Sequence, residues 1–158
     1  MKKLKLYLDT SVISHLDAPD APDKMADTKR LWTLMKYCRY DIVISDATID
    51  ELEGCAEPKR SFMYEQLAMI VYTDVERSEE AQTLAKLYAE VGGLPPKSRV
   101  DALHLAIASV EGCQAIISWN FKHIVNLRTM NAVEAVNIRE GYYPLKILSP
   151  TMLLESED

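Results

Sequence analysis

The sequence predicts one α/β domain, a three-layer α/β/α arrangement with a central, mainly parallel sheet of about five strands. Three observations carry this prediction. Short, apolar, β-branched runs alternate with helical patterns along the whole chain, as expected for strands buried between helices. No repeat, low-complexity tract or linker divides the 158 residues, which are about one domain's worth of chain. A hydrophobic content of 48% with 27% charged residues lies close to the globular average and excludes collagen-like, disordered and disulfide-scaffold classes. The domain is expected over residues 1–150, with 151–158 as a short acidic tail.

Leu4–Leu8 (LKLYL) is apolar and bounded by charge, then by Asp9-Thr10-Ser11, and reads as a buried first strand. The prolines and aspartates of 17–23 (DAPDAPD) make a loop. Leu31, Leu34, Met35 and Cys38 recur at helical spacing, predicting an amphipathic helix over 24–38. Ile42-Val43-Ile44 is the second strand. Ser45 and Asp46 then supply an N-cap for a helix carrying Ile49, Glu51 and Leu52 that stops near Gly54. Pro58 suits the first position of a helix running to about Leu67, and Met69–Tyr72 reads as a third strand. Ala81, Leu84, Ala85, Tyr88 and Val91 form a helical stripe ended by Gly92-Gly93. After Pro95-Pro96, Ser98 and Asp101 have the spacing of a capping box with Asp in place of Glu. The helix that follows, Ala102–Val110, is apolar nearly all round and therefore buried. Ala115–Ser118 and Lys146–Leu148 read as the fourth and fifth strands.

Composition also restricts function. No apolar run approaches the roughly 20 residues of a membrane span, and the charged start is too interrupted for a signal peptide, so a soluble, cytoplasmic protein is expected. Cys38, Cys55 and Cys113 are odd in number, widely spaced and lack any CxxC pair, which fits reduced thiols rather than zinc ligands or disulfides. A net charge of −6 argues against a protein that coats nucleic acid nonspecifically. It leaves open an enzyme that meets phosphate through metal ions.

Ligands of open parallel sheets bind beyond the carboxyl ends of the strands, so the polar residues there matter most. Asp9 follows strand one. Ser45 and Asp46 follow strand two, with Glu51 one to two turns further on. Asp101 opens the buried helix, and Ser118 and Asn120 follow strand four. Each has a bland account: Asp9 as a helix cap, Glu51 as a solvated helix residue, Asp101 as part of its cap, Asn120 as a turn residue. Together they are harder to dismiss, because carboxylates at the mouth of apolar elements are costly unless paired or bound to a cation. Hard oxygen ligands of this kind suit Mg²⁺ or Mn²⁺. His104 shares the helical face of Asp101 and reads as a satisfied core histidine. An aspartate-dependent phosphatase wants a second Asp two residues after the first, where Ser11 stands. A receiver-like phosphoacceptor wants an acid pair after strand one, where Asp9 is followed by Thr10.

The blocks LYLDTSVIS (6–14), ISDATIDELEG (44–54), RVDALHLAIAS (99–109) and IISWNFKHI (116–124) resemble, in order and spacing, the four motif blocks of the PIN domain. The resemblance spans about residues 4–148. It implies a PIN-like fold and a Mg²⁺- or Mn²⁺-dependent nuclease acting mostly on RNA. Asp9, Glu51 and Asp101 match the family's first three acids and its metal ligands, and Thr10 or Ser11 the hydroxyl residue after the first. Ser118 matches the Ser or Thr of the last block. Asn120 stands at the usual fourth acid, bringing no charge, and His123 also stands where many members carry an acid. The implied chemistry is phosphodiester hydrolysis, with Asn120 and Ser118 orienting water or a ligand of the metal. Lys97, Arg99, Lys122 and Arg128 are the candidate phosphate-binding residues.

A compact domain of this size further resembles the VapC-type endoribonuclease toxins of toxin–antitoxin pairs. That implies an RNA substrate, a cognate antitoxin protein and a homodimer. A PIN-like module without catalysis, binding nucleic acid or protein, is the alternative. Met63, Tyr64, Leu67 and Met69 are assigned to core packing ahead of a dimer or antitoxin surface.

Overall fold

The computed structural model describes residues 2–157. Five strands, β1 (Lys5–Leu8), β2 (Asp41–Ser45), β3 (Tyr72–Val75), β4 (Ala115–Ile117) and β5 (Lys146–Leu148), form one sheet in the order β3-β2-β1-β4-β5. Every pairing is parallel. The chain starts in the middle of the sheet, builds outward to β3, then returns to the other side of β1. That reversal leaves the ends of β1, β2 and β4 side by side, where open α/β sheets place their ligands.

The period-two alternation of strand side chains divides the core in two. Leu6, Leu8, Ile42, Ile44, Ala115 and Ile117 face one layer of helices: α1 (Thr10–Ser14), α2 (Pro22–Lys36), α4 (Lys59–Leu67) and α8 (Pro150–Glu155). Tyr7, Val43, Ile116 and Ile147 face the other, α5 (Glu79–Gly92), α6 (Arg99–Val110) and α7 (Leu127–Glu140). The last helix, α3 (Asp46–Glu53), sits across the strand ends and sends Leu52 into the first cluster and Ala47 into the second. The three-layer expectation holds.

Several boundaries differ from the sequence expectation, each for a local reason. The apolar run Met69–Tyr72 is not a strand. Met69 and Val71 are exposed in the turn after α4, and β3 begins at Tyr72 as a half-exposed edge strand that needs no apolar run. Pro58 is the N-cap of α4 rather than its first residue. The helix expected over 24–38 is α2, starting with Pro22 in its first turn, where a missing N–H costs nothing. Helix α7, capped by Asn126 through Thr129 N, was not anticipated. Within the segment expected as a tail, Ser149 caps α8 through Met152 N, and Leu153 and Leu154 are buried. Of the apolar residues on and after α4, Met63 and Leu67 are core, whereas Tyr64 only packs against it.

Candidate active site

The side chains at N-cap positions build much of the site. Asp9 stands at the N-cap of α1, Ser45 at that of α3 and Ser98 at that of α6, and none of the three side chains caps its helix. Ser78 and Asn126, on helices away from the site, do cap theirs. The diverted side chains turn instead to partners distant in sequence.

Asp9 is 4% exposed. Ser11 Oγ donates to its Oδ1 at 2.6 Å and Ser118 Oγ to its Oδ2 at 2.5 Å. Each serine in turn accepts a backbone N–H, Ser11 from Trp119 and Ser118 from Asn120, both at 2.9 Å. The carboxylate is therefore oriented by a closed network tying α1 to the end of β4. Ser118 spends its one proton on Asp9, which makes it a positioning residue for that carboxylate and not a donor to water.

Glu51 reaches the same region from the second turn of α3. Thr10 Oγ1 donates to Glu51 Oε1 at 2.7 Å, and His104 Nε2 lies 2.6 Å from the same oxygen. A carboxylate only accepts, so Nε2 carries the proton. His104 is buried, as its place on α6 predicted, but its ring is not merely core. Its Nδ1 is 2.5 Å from Tyr7 Oη, which is 2.6 Å from Ser45 Oγ. A buried chain Ser45–Tyr7–His104 thus ends on Glu51. Sequence reasoning missed Tyr7, inside β1, and read Ser45 only as a polar residue at the end of β2 and a helix cap.

Asp101 lies in the first turn of α6, half-buried. The expected capping box with Ser98 is not formed. Ser98 Oγ bonds His123 Nδ1 at 3.1 Å, which holds that imidazole close enough to act on Asp101. The Asn120 side-chain oxygen accepts from His123 N at 3.0 Å, so Asn120 closes the turn that carries His123.

The electrostatics separate the three acids. Burial pushes the Asp9 carboxyl above the usual aspartate range, with Glu51's charge adding, against the pull of His104, Ser11 and Ser118. Asp101 is raised chiefly by burial, and further by Asp9 and Glu51, with His104 and His123 opposing. Burial works on Glu51 too, but its hydrogen bonds and the His104 charge outweigh it and hold that carboxyl low. The basic side chains acting on these acids are His104 and His123, with no Lys or Arg among them.

The basic residues fare unequally. Arg128 donates to the carbonyls of Gly92 (2.7 Å) and Gly93 (3.0 Å), so it clamps the end of α5. Arg99 lines a groove against α5 with Gln82, Lys86 and Glu90. Lys97 and Lys122 are exposed, on the turn before α6 and the loop after β4.

What remains available is a set of hard oxygens. Glu51 Oε2 and the Asp101 carboxylate have no hydrogen bond among the described residues, and each Asp9 oxygen is engaged once. Among the described residues, no three His, Cys, Asp or Glu side chains close into a metal cluster. The donor set fits an ion such as Mg²⁺, which binds through one or two carboxylates and keeps several waters.

No family model matches the sequence, and no curated protein matches it. Solved structures do match its fold. A Mycobacterium tuberculosis toxin, VapC20, described as cleaving the sarcin–ricin loop, is 18% identical, with 75% of this chain and 92% of that chain covered and a TM-score of 0.56. A chain of the Rickettsia felis VapBC2 complex bound to a promoter DNA fragment is 16% identical, with 92% and 98% covered and a TM-score of 0.57. The fold is therefore PIN-like, that of the VapC toxins. Among the described residues no helix is long and apolar enough to cross a membrane.

Proposed function

We propose that this protein is a Mg²⁺- or Mn²⁺-dependent endoribonuclease that acts as the toxin of a toxin–antitoxin pair. The observation that carries this reading is that Asp9, Glu51 and Asp101, at the N-cap of α1 and on α3 and α6, act electrostatically on one another at the strand ends. Asp9 and Asp101 are raised chiefly by burial, and none of the three is paired with Lys or Arg among the described residues. A buried carboxylate such as Asp9, whose pKa stays raised despite His104, is an unfavourable arrangement that a divalent ion would relieve. The likeness in fold to VapC20 and to a VapBC2 chain supports the reading as a ribonuclease with an antitoxin partner.

Asp9, Glu51 and Asp101 are the residues that would hold the ion. When bound, it supplies Lewis acidity toward a phosphate and acidifies water. The rest of the work falls to the chain. Ser11 and Ser118 set the plane of the Asp9 carboxylate, while Thr10 and His104 pin one Glu51 oxygen and leave the other without a hydrogen bond among the described residues. Asn120, its carbonyl turned to His123 N, presents its amide N–H₂ as a donor for a phosphate oxygen. Lys97 and Lys122 are the exposed cations on the two flanking loops.

Cleavage of a panel of structured RNAs with Mn²⁺ or Mg²⁺ tests this reading, with EDTA and Asp9→Asn as paired controls. Loss of cleavage in both establishes the metal nuclease. The engagement of Asn120 with His123 N favours a second reading, a PIN-like binding module without turnover. Metal binding that Asp9→Asn abolishes, with no cleavage of any RNA, would identify it.

A further inference from the structure

Beside the acid site lies an aromatic and cationic cluster that the catalytic reading does not use. Trp119 follows Ser118 directly, and its backbone N–H is one hydrogen bond from Ser11, which holds Asp9. Its indole is 6% exposed and locked, with Nε1 donating to buried Thr28 Oγ1 at 2.9 Å and the His15 ring 5.7 Å from its own. Phe121, two residues on, meets Trp119 at 6.2 Å with its ring tilted 60°, so the two do not stack. Phe121 is 45% exposed. The Lys24 ammonium sits 5.2 Å from the Phe121 centroid and 5.6 Å from that of Trp119. It has no carboxylate partner among the described residues, in a chain whose net charge is −6.

Each part has an ordinary explanation alone, since exposed phenylalanines are common and lysines lie over rings often. Their combination is more specific. A cation on α2 with no carboxylate partner among the described residues lies over a buried indole and an exposed ring of the loop that orients Asp9. Those are the two components of single-strand recognition, a positive charge for the backbone and an aromatic face for a base. In a paired helix the bases stack on each other, and no face is open to Phe121.

We propose that Lys24, Trp119 and Phe121 form a subsite for an unpaired nucleotide of the RNA, with its base on the Phe121 ring and its phosphate on Lys24. Trp119, too buried to stack a base, is the support that fixes both. This deepens the ribonuclease reading and rests on it for the identity of the nucleic acid. It places the nucleotide on the loop after β4, whose Trp119 N–H donates to Ser11. It also explains how a chain so acidic at its centre holds a polyanion.

The test is fluorescence anisotropy of a labelled single-stranded oligoribonucleotide, with a duplex of the same composition as comparison, on the full chain in EDTA. Single strand is expected to bind more tightly than duplex and to quench Trp119 emission. Phe121→Ala should weaken binding about 5- to 100-fold, and Phe121→Trp should restore it. Lys24→Gln should weaken binding and lower the salt dependence by about one counterion. Equal binding by wild type and Phe121→Ala, equal affinity for duplex, or no binding by wild type would each overturn the subsite. Cleavage by wild type with Mn²⁺, measured in parallel, is independent. Cleavage with unchanged Phe121→Ala binding refutes the subsite alone, and binding lost in Phe121→Ala with no cleavage at all refutes the nuclease alone.

Discussion

Replacing Asp9 by Asn removes one charge from a fully enclosed position and changes almost no volume. The wild-type carboxylate loses its hydration on folding, and burial is the largest influence raising its pKa above the ordinary 3.8. Desolvating an ion costs several kcal/mol even after the surroundings relax. Against this, Asn forfeits the charge-assisted part of the bonds from Ser11 and Ser118, about 1 kcal/mol each. The net direction follows from the raised pKa, which already includes both serines: folding penalises the charged form of Asp9 relative to the unfolded chain. Without metal, Asp9→Asn should therefore be more stable than wild type, by about 1–2 kcal/mol, as for other active-site residues that trade stability for function. For a domain of this size that is about 2–8 °C in Tm.

Thermal unfolding in EDTA followed by circular dichroism measures the effect. Its pH dependence has a defined sign. For an acid whose folded pKa lies above its unfolded value, the penalty is absent below the unfolded value and grows as pH rises through the folded one. The gap between variant and wild type should thus close as the pH falls toward 4. Saturating Mn²⁺ should narrow or reverse it, because a ligand at 100 times its Kd adds about 2.7 kcal/mol to the protein that binds it. A variant no more stable than wild type in EDTA, or a gap that ignores pH, would refute the buried-charge argument.

The remaining predictions follow the same contacts. Tyr7→Phe deletes one hydroxyl from the chain that ends on Glu51, and Mn²⁺ affinity by calorimetry should fall about tenfold or more; unchanged affinity would show that His104 does not orient Glu51. Gly93→Ala should cost about 1–2 kcal/mol in urea unfolding, because φ is +61° there. The new Cβ would also stand 2.7 Å from Arg128 Nη2. Leu153→Ala should cost about 2–5 kcal/mol, as for any fully buried leucine, and an effect near zero would show that α8 adds nothing to stability.

Much of the fold was legible because its signals are local. Buried β-branched runs, Gly93 after a helical stripe and the apolar α6 each announce their structure through neighbours a few residues away. Elements with weak local contrast were not legible. Helix α7 presents polar residues on much of its surface, β3 is a half-exposed edge, and α8 buries only part of a single turn and a half.

The candidate site divides the same way. Asp9, Glu51 and Asp101 could be singled out in sequence because acids at the mouths of apolar elements need a reason to be there. What each side chain does could not. Local propensity makes Asp9, Ser45 and Ser98 helix caps, and all three decline that role for partners 109, 38 and 25 residues away. The clamp of Arg128 on Gly92 and Gly93, and Lys24 over Phe121, depend equally on contacts that exist only once the layers close. The sequence by itself determined four of the five strands, most helices and the acids at their ends, since those rest on short-range periodicity and on the cost of burying charge. Only the tertiary structure decided which hydroxyl serves which carboxylate, because a cap bond and a long-range bond are nearly equal in free energy and packing breaks the tie.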